Sequence, residues 1–130
     1  MKKTLQSIWP AILWTTAIFF LLSSDSQEIK ESSEIIDFKG ADKIVHFFLF
    51  LGFSFLWGSY TCNKITDTKK LYLLLILTGS VYGLAMEYYQ QFFTLRQFSY
   101  WDAVADTLGT IAGSFFVKKS PYGNRGRNQN

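Results

Sequence analysis

Eight polar or ionisable residues in this chain have types and spacings that suit chemistry: Asp42, Lys43, His46, Glu87, Gln90, Arg96, Asp102 and Asp106. Asp42 and His46 are separated by four positions, one helical turn, so the carboxylate can hydrogen-bond the imidazole and fix its tautomer. An oriented imidazole is a general base. Glu87 or Asp102 would then serve as acid, and Arg96 would hold a phosphate or a developing oxyanion. His46 with Glu87, Asp102 and Asp106 is also an oxygen-rich set that suits a divalent metal, although no tight ligand motif such as His-Glu-x-x-His occurs. A third use is structural: a polar network that locks helices together without any ligand. The residues alone leave binding, catalysis and structure open.

The elements that position these groups are apolar. Four stretches, Leu5–Leu22, Ile44–Tyr60, Leu71–Tyr89 and Tyr100–Val117, hold three charged residues between them, Glu87, Asp102 and Asp106. A soluble domain would charge one face of each helix, so this distribution argues against a soluble enzyme. Stretches of ~17–20 residues at ~1.5 Å rise each just cross a ~30 Å hydrocarbon core. The expected fold is all-α, a bundle of four transmembrane helices. The units are a first span over 1–22, an external linker over 23–41, a three-span core over 42–117 and a basic tail over 118–130. The net charge of +3 is too small for a nucleic-acid footprint.

Basic residues set the orientation. Lys2, Lys3, Lys64, Lys69, Lys70, Lys118, Lys119, Arg125 and Arg127 fall on one side, with Asp67 as that side's one acid. That side is cytoplasmic, and both termini with it. Lys2-Lys3 before an apolar run also resembles a secretory signal, but the run contains Pro10 and ends in Leu21-Leu22-Ser23-Ser24 without an Ala-x-Ala site. Cys62 is the chain's one cysteine and belongs to the inner loop.

On this topology every chemically interesting residue reaches the outer side. Asp102, Asp106, Gly109 and Gly113 share one helical face; Gly79, Gly83, Glu87 and Gln90 share another. The two Gly-x-x-x-Gly patterns are expected to meet in mid-membrane, with the carboxylates above them. Arg96, His46 and Lys43 are the partners available to the acids, and Gln90, Gln91 and Ser99 can satisfy what remains. Trp9, Trp57, Tyr60, Tyr88, Tyr89, Tyr100 and Trp101 are placed as interfacial belts. Phe92, Phe93 and Phe98 bracket Arg96 in an outer loop that dips into the headgroups.

The order Asp42-Lys43-x-x-His46, Gly83-x-x-x-Glu87-x-x-Gln90, Arg96, Asp102-x-x-x-Asp106-x-x-Gly109-x-x-x-Gly113 resembles the VanZ-like family of small bacterial membrane proteins. The resemblance runs from residue 42 to residue 113. It implies a multi-pass protein of the bacterial plasma membrane. The expected function is to bind or modulate a cell-envelope ligand, lipid-linked or cell-wall, with a link to low-level teicoplanin resistance known for the family's namesake. The alternative is a membrane-embedded enzyme acting on a lipid or lipid-linked substrate. The family usually has Asn where this chain has Asp106. Roughly 9 Å below the outer end by the ~1.5 Å rise, Asp106 ionises with difficulty unless a cation is present. A neutral carboxyl imitating the amide is the expectation.

Overall fold

The computed structural model describes Thr4 and residues 7–24 and 40–119. Lys2, Lys3, nearly all of the linker over 23–41 and the tail from residue 120 lie outside the described residues. Four long helices account for the rest: α1 (Trp9–Ser23), α2 (Ala41–Thr61), α3 (Thr68–Phe93) and α4 (Tyr100–Lys119), with no strand among the described residues.

Local chemistry fixes the helix ends. Pro10 occupies the first turn of α1, where its missing N–H is not needed. The helix therefore starts later than the apolar stretch that contains it, and its 15 residues make it the short member. Gly40 precedes α2 with φ 139°, a backbone setting open to glycine, and turns the chain so that Asp42 falls in the first helical turn. Asp67 caps α3, accepting from the Lys69 and Lys70 amides at 2.9 and 3.4 Å. The one acid of the basic side is thus a helix cap. Ser99 Oγ accepts the Asp102 amide at 3.3 Å and caps α4.

Two of these helices, α2 and α3, are long and apolar enough to cross a membrane; α1 is apolar but shorter. The distribution of side chains is inverted relative to a water-soluble bundle. Leu13, Phe20, Phe48, Leu73, Leu77, Val81, Leu108 and Phe116 point outward from the four helices. His46, Ser54, Glu87, Gln90, Asp106 and Thr110 are completely or almost completely buried.

Helices α2 and α4 run parallel and closest. A Cβ on Gly109 would strike the Phe47 carbonyl, and one on Gly113 the Leu51 carbonyl, so the two backbones touch there. Two turns inward from the charged end, Ser54 Oγ and Ser114 Oγ hydrogen-bond at 2.7 Å. Helix α3 packs against α4 differently. Gly79 faces Thr110 and Gly83 faces Asp106, each within 3.0 Å of an added Cβ. Contrary to the expectation from sequence, the two glycine patterns do not meet each other; each makes room for a different neighbour. Asp106 and Gly109 share one face of α4, which lies on α2 at Gly109 and between α2 and α3 at Asp106, where the side chain meets both His46 and Gly83.

Helix α1 docks on α2 and α3 through polar contacts to its own backbone and side chains. Trp14 Nε1 donates to the Leu49 carbonyl at 2.8 Å, Trp57 Nε1 to Thr15 Oγ1 at 2.9 Å and Tyr82 OH to the Thr15 carbonyl at 2.8 Å. Ile18 and Leu22 then join Leu49, Phe50, Phe53 and Met86 in the larger apolar cluster.

Candidate functional site: a two-layer polar cluster

The start of α2, the end of α3, the 94–99 loop and the start of α4 converge at one end of the bundle. There the side chains form two layers. In the upper one, Arg96 hydrogen-bonds Asp42 through Nη2 and Oδ2, and the same Nη2 lies 3.8 Å from Asp102 Oδ2. Lys43 Nζ lies 3.5 Å from Asp102 Oδ1. The Asp42 and Lys43 side chains are about half exposed, at 48% and 46%, whereas Asp102 is nearly covered.

The lower layer is His46, Glu87 and Asp106, each 0% exposed. His46 Nδ1 is 2.8 Å from Asp106 Oδ1 and 3.9 Å from Glu87 Oε1; Nε2 is 4.0 Å from Asp102 Oδ2. Glu87 Oε2 accepts the Ser99 amide at 3.1 Å. The imidazole is thus flanked by carboxylates on both nitrogens. His46 Nε2, Glu87 Oε1, Asp102 Oδ1 and Asp106 Oδ2 are buried and make no hydrogen bond among the described residues.

Three assignments from the sequence change. The imidazole of His46 is held by Asp106, not by Asp42, because the Gly109 contact draws α4 onto α2 while the loop brings Arg96 over Asp42. Asp106 is correspondingly served by His46, and Arg96 reaches only the upper layer. Gln90 leaves the cluster: its Nε2 donates to the Leu22 carbonyl at 2.8 Å and closes the C-terminal end of α1. Gln91 is exposed, and Ser99 does help, through its backbone amide to Glu87 and its hydroxyl to the start of α4. Phe92 and Phe93 are exposed on the last turn of α3.

The α2–α4 pairing has a signal in the sequence that spacing within one helix does not reveal. Asp42, His46 and Ser54 repeat at intervals of four and eight; Asp102, Asp106 and Ser114 repeat the same intervals sixty residues later. Parallel helices in constant register bring His46 to Asp106 and Ser54 to Ser114.

Chemically, the upper layer offers two permanent cations to an anion. The lower layer offers an oriented imidazole and carboxylate oxygens, and His46, Glu87 and Asp106 are close enough together to hold a metal ion. No family model, curated protein or solved structure matches this chain.

Proposed function

We propose that this chain is a four-span protein of the bacterial plasma membrane, of the VanZ-like kind, with both termini cytoplasmic. Its outward-facing upper layer binds an anionic cell-envelope ligand, lipid-linked or part of the wall, and a teicoplanin phenotype would follow from that binding. The observation that carries this reading is the pair of permanent cations, Arg96 and Lys43, matched one-for-one with Asp42 and Asp102 at the rim of a bundle that is apolar outside and polar within. Asp42 is about half exposed, and pairs open to water contribute only ~0–1 kcal/mol, so a ligand phosphate or carboxylate can exchange with Asp42 at little cost. The same rim sits at the end where the exposed aromatic residues Tyr88, Phe92, Phe93, Tyr100 and Trp101 gather, as interfacial residues do.

A second reading, a membrane-embedded enzyme on a lipid or lipid-linked substrate, is favoured by one feature. His46 is oriented by Asp106 through Nδ1 and keeps Nε2 free of hydrogen bonds, the arrangement of a general base. Incubation of the purified protein with an envelope-lipid extract separates the two. Arg96→Gln is expected to abolish lipid retention, and His46→Ala to leave it; product formation that His46→Ala removes, with retention intact, would establish the enzyme instead.

Orientation is tested by impermeant thiol labelling of intact cells. Cys62 is a poor reporter, since it is half-buried, its Sγ donates to the Ser59 carbonyl at 3.2 Å, and burial pushes its thiol pKa up. The informative variants, in a Cys62→Ser background, are Gln27→Cys, expected to label, and Asn63→Cys, expected to label only after permeabilisation. The reverse pattern overturns the outward-facing site.

A further inference from the structure

Charge divides between the two layers unequally. In the upper layer Asp42 is matched by Arg96 and Asp102 by Lys43. In the lower layer Glu87 and Asp106 have no lysine or arginine within 4 Å among the described residues, and the basic group each reaches at that distance is His46. All three side chains are sealed from solvent. Two carboxylates beside a neutral imidazole leave a deficit of two positive charges in a place where an isolated ion is very costly.

We propose that a divalent transition-metal ion fills this deficit, ligated by His46 Nδ1, Glu87 Oε1 and a carboxylate oxygen of Asp106. The ligand atoms all lie within 4.8 Å of one another, with Nδ1 at 3.9 Å from Oε1 and 2.8 Å from Asp106 Oδ1. Bonds of ~2.0–2.2 Å place neighbouring ligands ~3–4 Å apart, so the existing spacing needs only small side-chain shifts. The unsatisfied atoms fit as well. Ser99 N–H holds Glu87 by Oε2 and leaves Oε1 free, and Asp106 Oδ2 is likewise unbonded. With Nδ1 on the metal, Nε2 carries the proton, and a shift of about 1 Å would bring Asp102 Oδ2, 4.0 Å away, within hydrogen-bond distance. Metal-bound imidazoles regularly carry such an outer carboxylate partner. One nitrogen and two oxygens suit zinc, manganese or iron better than calcium or magnesium. Gly83 keeps the wall beside Asp106 free of a side chain, since a Cβ there would lie 2.7 Å from Oδ2. The site stands independently of the ligand assigned to the upper layer.

The test uses the full chain purified in detergent without chelator. Elemental analysis is expected to find one divalent transition-metal ion per chain. Its removal by chelation should lower the unfolding midpoint, and Zn2+ or Mn2+ added alone should restore it. Glu87→Gln and His46→Ala should each reduce bound metal at least tenfold, while Lys43→Gln and Arg96→Gln keep it. Mn2+-loaded protein should show magnetic coupling to an imidazole nitrogen, which His46, the chain's single histidine, must supply. Wild-type protein that holds no metal and whose midpoint ignores both chelator and added ions overturns the proposal; the two carboxylates are then neutralised by protons. Metal that survives both lower-layer substitutions, or that lacks the nitrogen coupling, also overturns it. If a variant fails to fold, the wild-type removal and reloading still decide. Loss of envelope-lipid retention in Arg96→Gln with metal content unchanged would separate this site from the upper layer.

Discussion

The upper and lower layers of the cluster use the same residue types and differ in what surrounds them. Above, Asp42 and Asp102 meet Arg96 and Lys43, and water reaches one partner of each pair, Asp42 and Lys43. Below, Glu87 and Asp106 meet one imidazole and one backbone amide in a dry interior. An exposed pair contributes ~0–1 kcal/mol and can be exchanged for an external ion. Breaking a buried pair leaves an uncompensated group that costs ~3–5 kcal/mol. The upper layer is therefore suited to exchange partners, and the lower one to keep them. Substitutions in the two layers should separate along that line.

The harshest way to break the contrast is to pull α4 from α2, which dismantles both layers at once. In Gly109→Leu the first added atom strikes the Phe47 carbonyl, a backbone atom with nowhere to turn. Gly83→Leu instead strikes the Asp106 side chain, which has a rotatable bond to yield. Gly109→Leu should abolish recovery of folded protein, Gly83→Leu should lower it several-fold, and exposed Leu74→Ile should change stability by less than ~0.5 kcal/mol. Yield and thermal unfolding in detergent measure all three. Similar values throughout would mean that the α2–α4 backbone contact does not hold the layers together.

Much of this arrangement is legible in the sequence, and the misses share a cause. The apolar stretches fall on the four helices, and the singled-out residues Asp42, His46, Glu87, Arg96, Asp102 and Asp106 meet at one end of the bundle. Which partner each polar residue chooses is less legible, because an i, i+4 relation makes a contact available without making it preferred. Asp42 had His46 one turn away, yet a loop arginine claimed it. His46 was claimed in turn by a residue sixty positions on. The repeated spacing of Asp42, His46 and Ser54 in Asp102, Asp106 and Ser114 carried that information, but its meaning depends on α2 and α4 being parallel neighbours. Gln90 shares a face with Glu87, and only the position of α1 decides that it bonds the Leu22 carbonyl instead. The late start of α1 follows from Pro10, which occupies its first turn.

The next effect in size belongs to Asp106, where this chain differs from the pattern it resembles. Depth alone favours a neutral carboxyl, and a bound divalent ion favours a charged one. Asp106→Leu removes either the hydrogen-bond partner of His46 Nδ1 or a ligand of the ion that His46 shares, and should cost ~3–5 kcal/mol. Asp106→Asn separates the assignments, since it preserves shape and hydrogen bonding while deleting the charge. With a metal present, Asp106→Asn should lose most of the bound ion and of the chelator-sensitive part of the unfolding midpoint. Retention of a wild-type midpoint and of lipid binding in Asp106→Asn, with no metal in either protein, would make the lower layer a proton-neutralised lock.

The smallest change in stability is expected at the rim, where its sign in binding is most informative. Asp42→Asn, Lys43→Gln and Arg96→Gln remove members of partly exposed pairs, and the first two should each shift stability by no more than ~1 kcal/mol. Their effects on an anionic envelope lipid should diverge. A lipid phosphate that binds Arg96 must displace Asp42, which already holds the guanidinium, so Asp42→Asn should raise affinity several-fold. Lys43→Gln should lower it, and Arg96→Gln should lower it most, because Arg96 lies within 4 Å of both upper-layer acids. Retention should also weaken as salt rises, since exposed charges are screened over ~8–10 Å near physiological ionic strength. Binding measured in detergent over a salt series checks all four expectations. If Asp42→Asn weakens binding as Arg96→Gln does, the Asp42–Arg96 pair is part of the recognition surface rather than a contact the ligand replaces. The ligand must then bring a cation or a hydrogen-bond donor to Asp42 as well as an anion to Arg96.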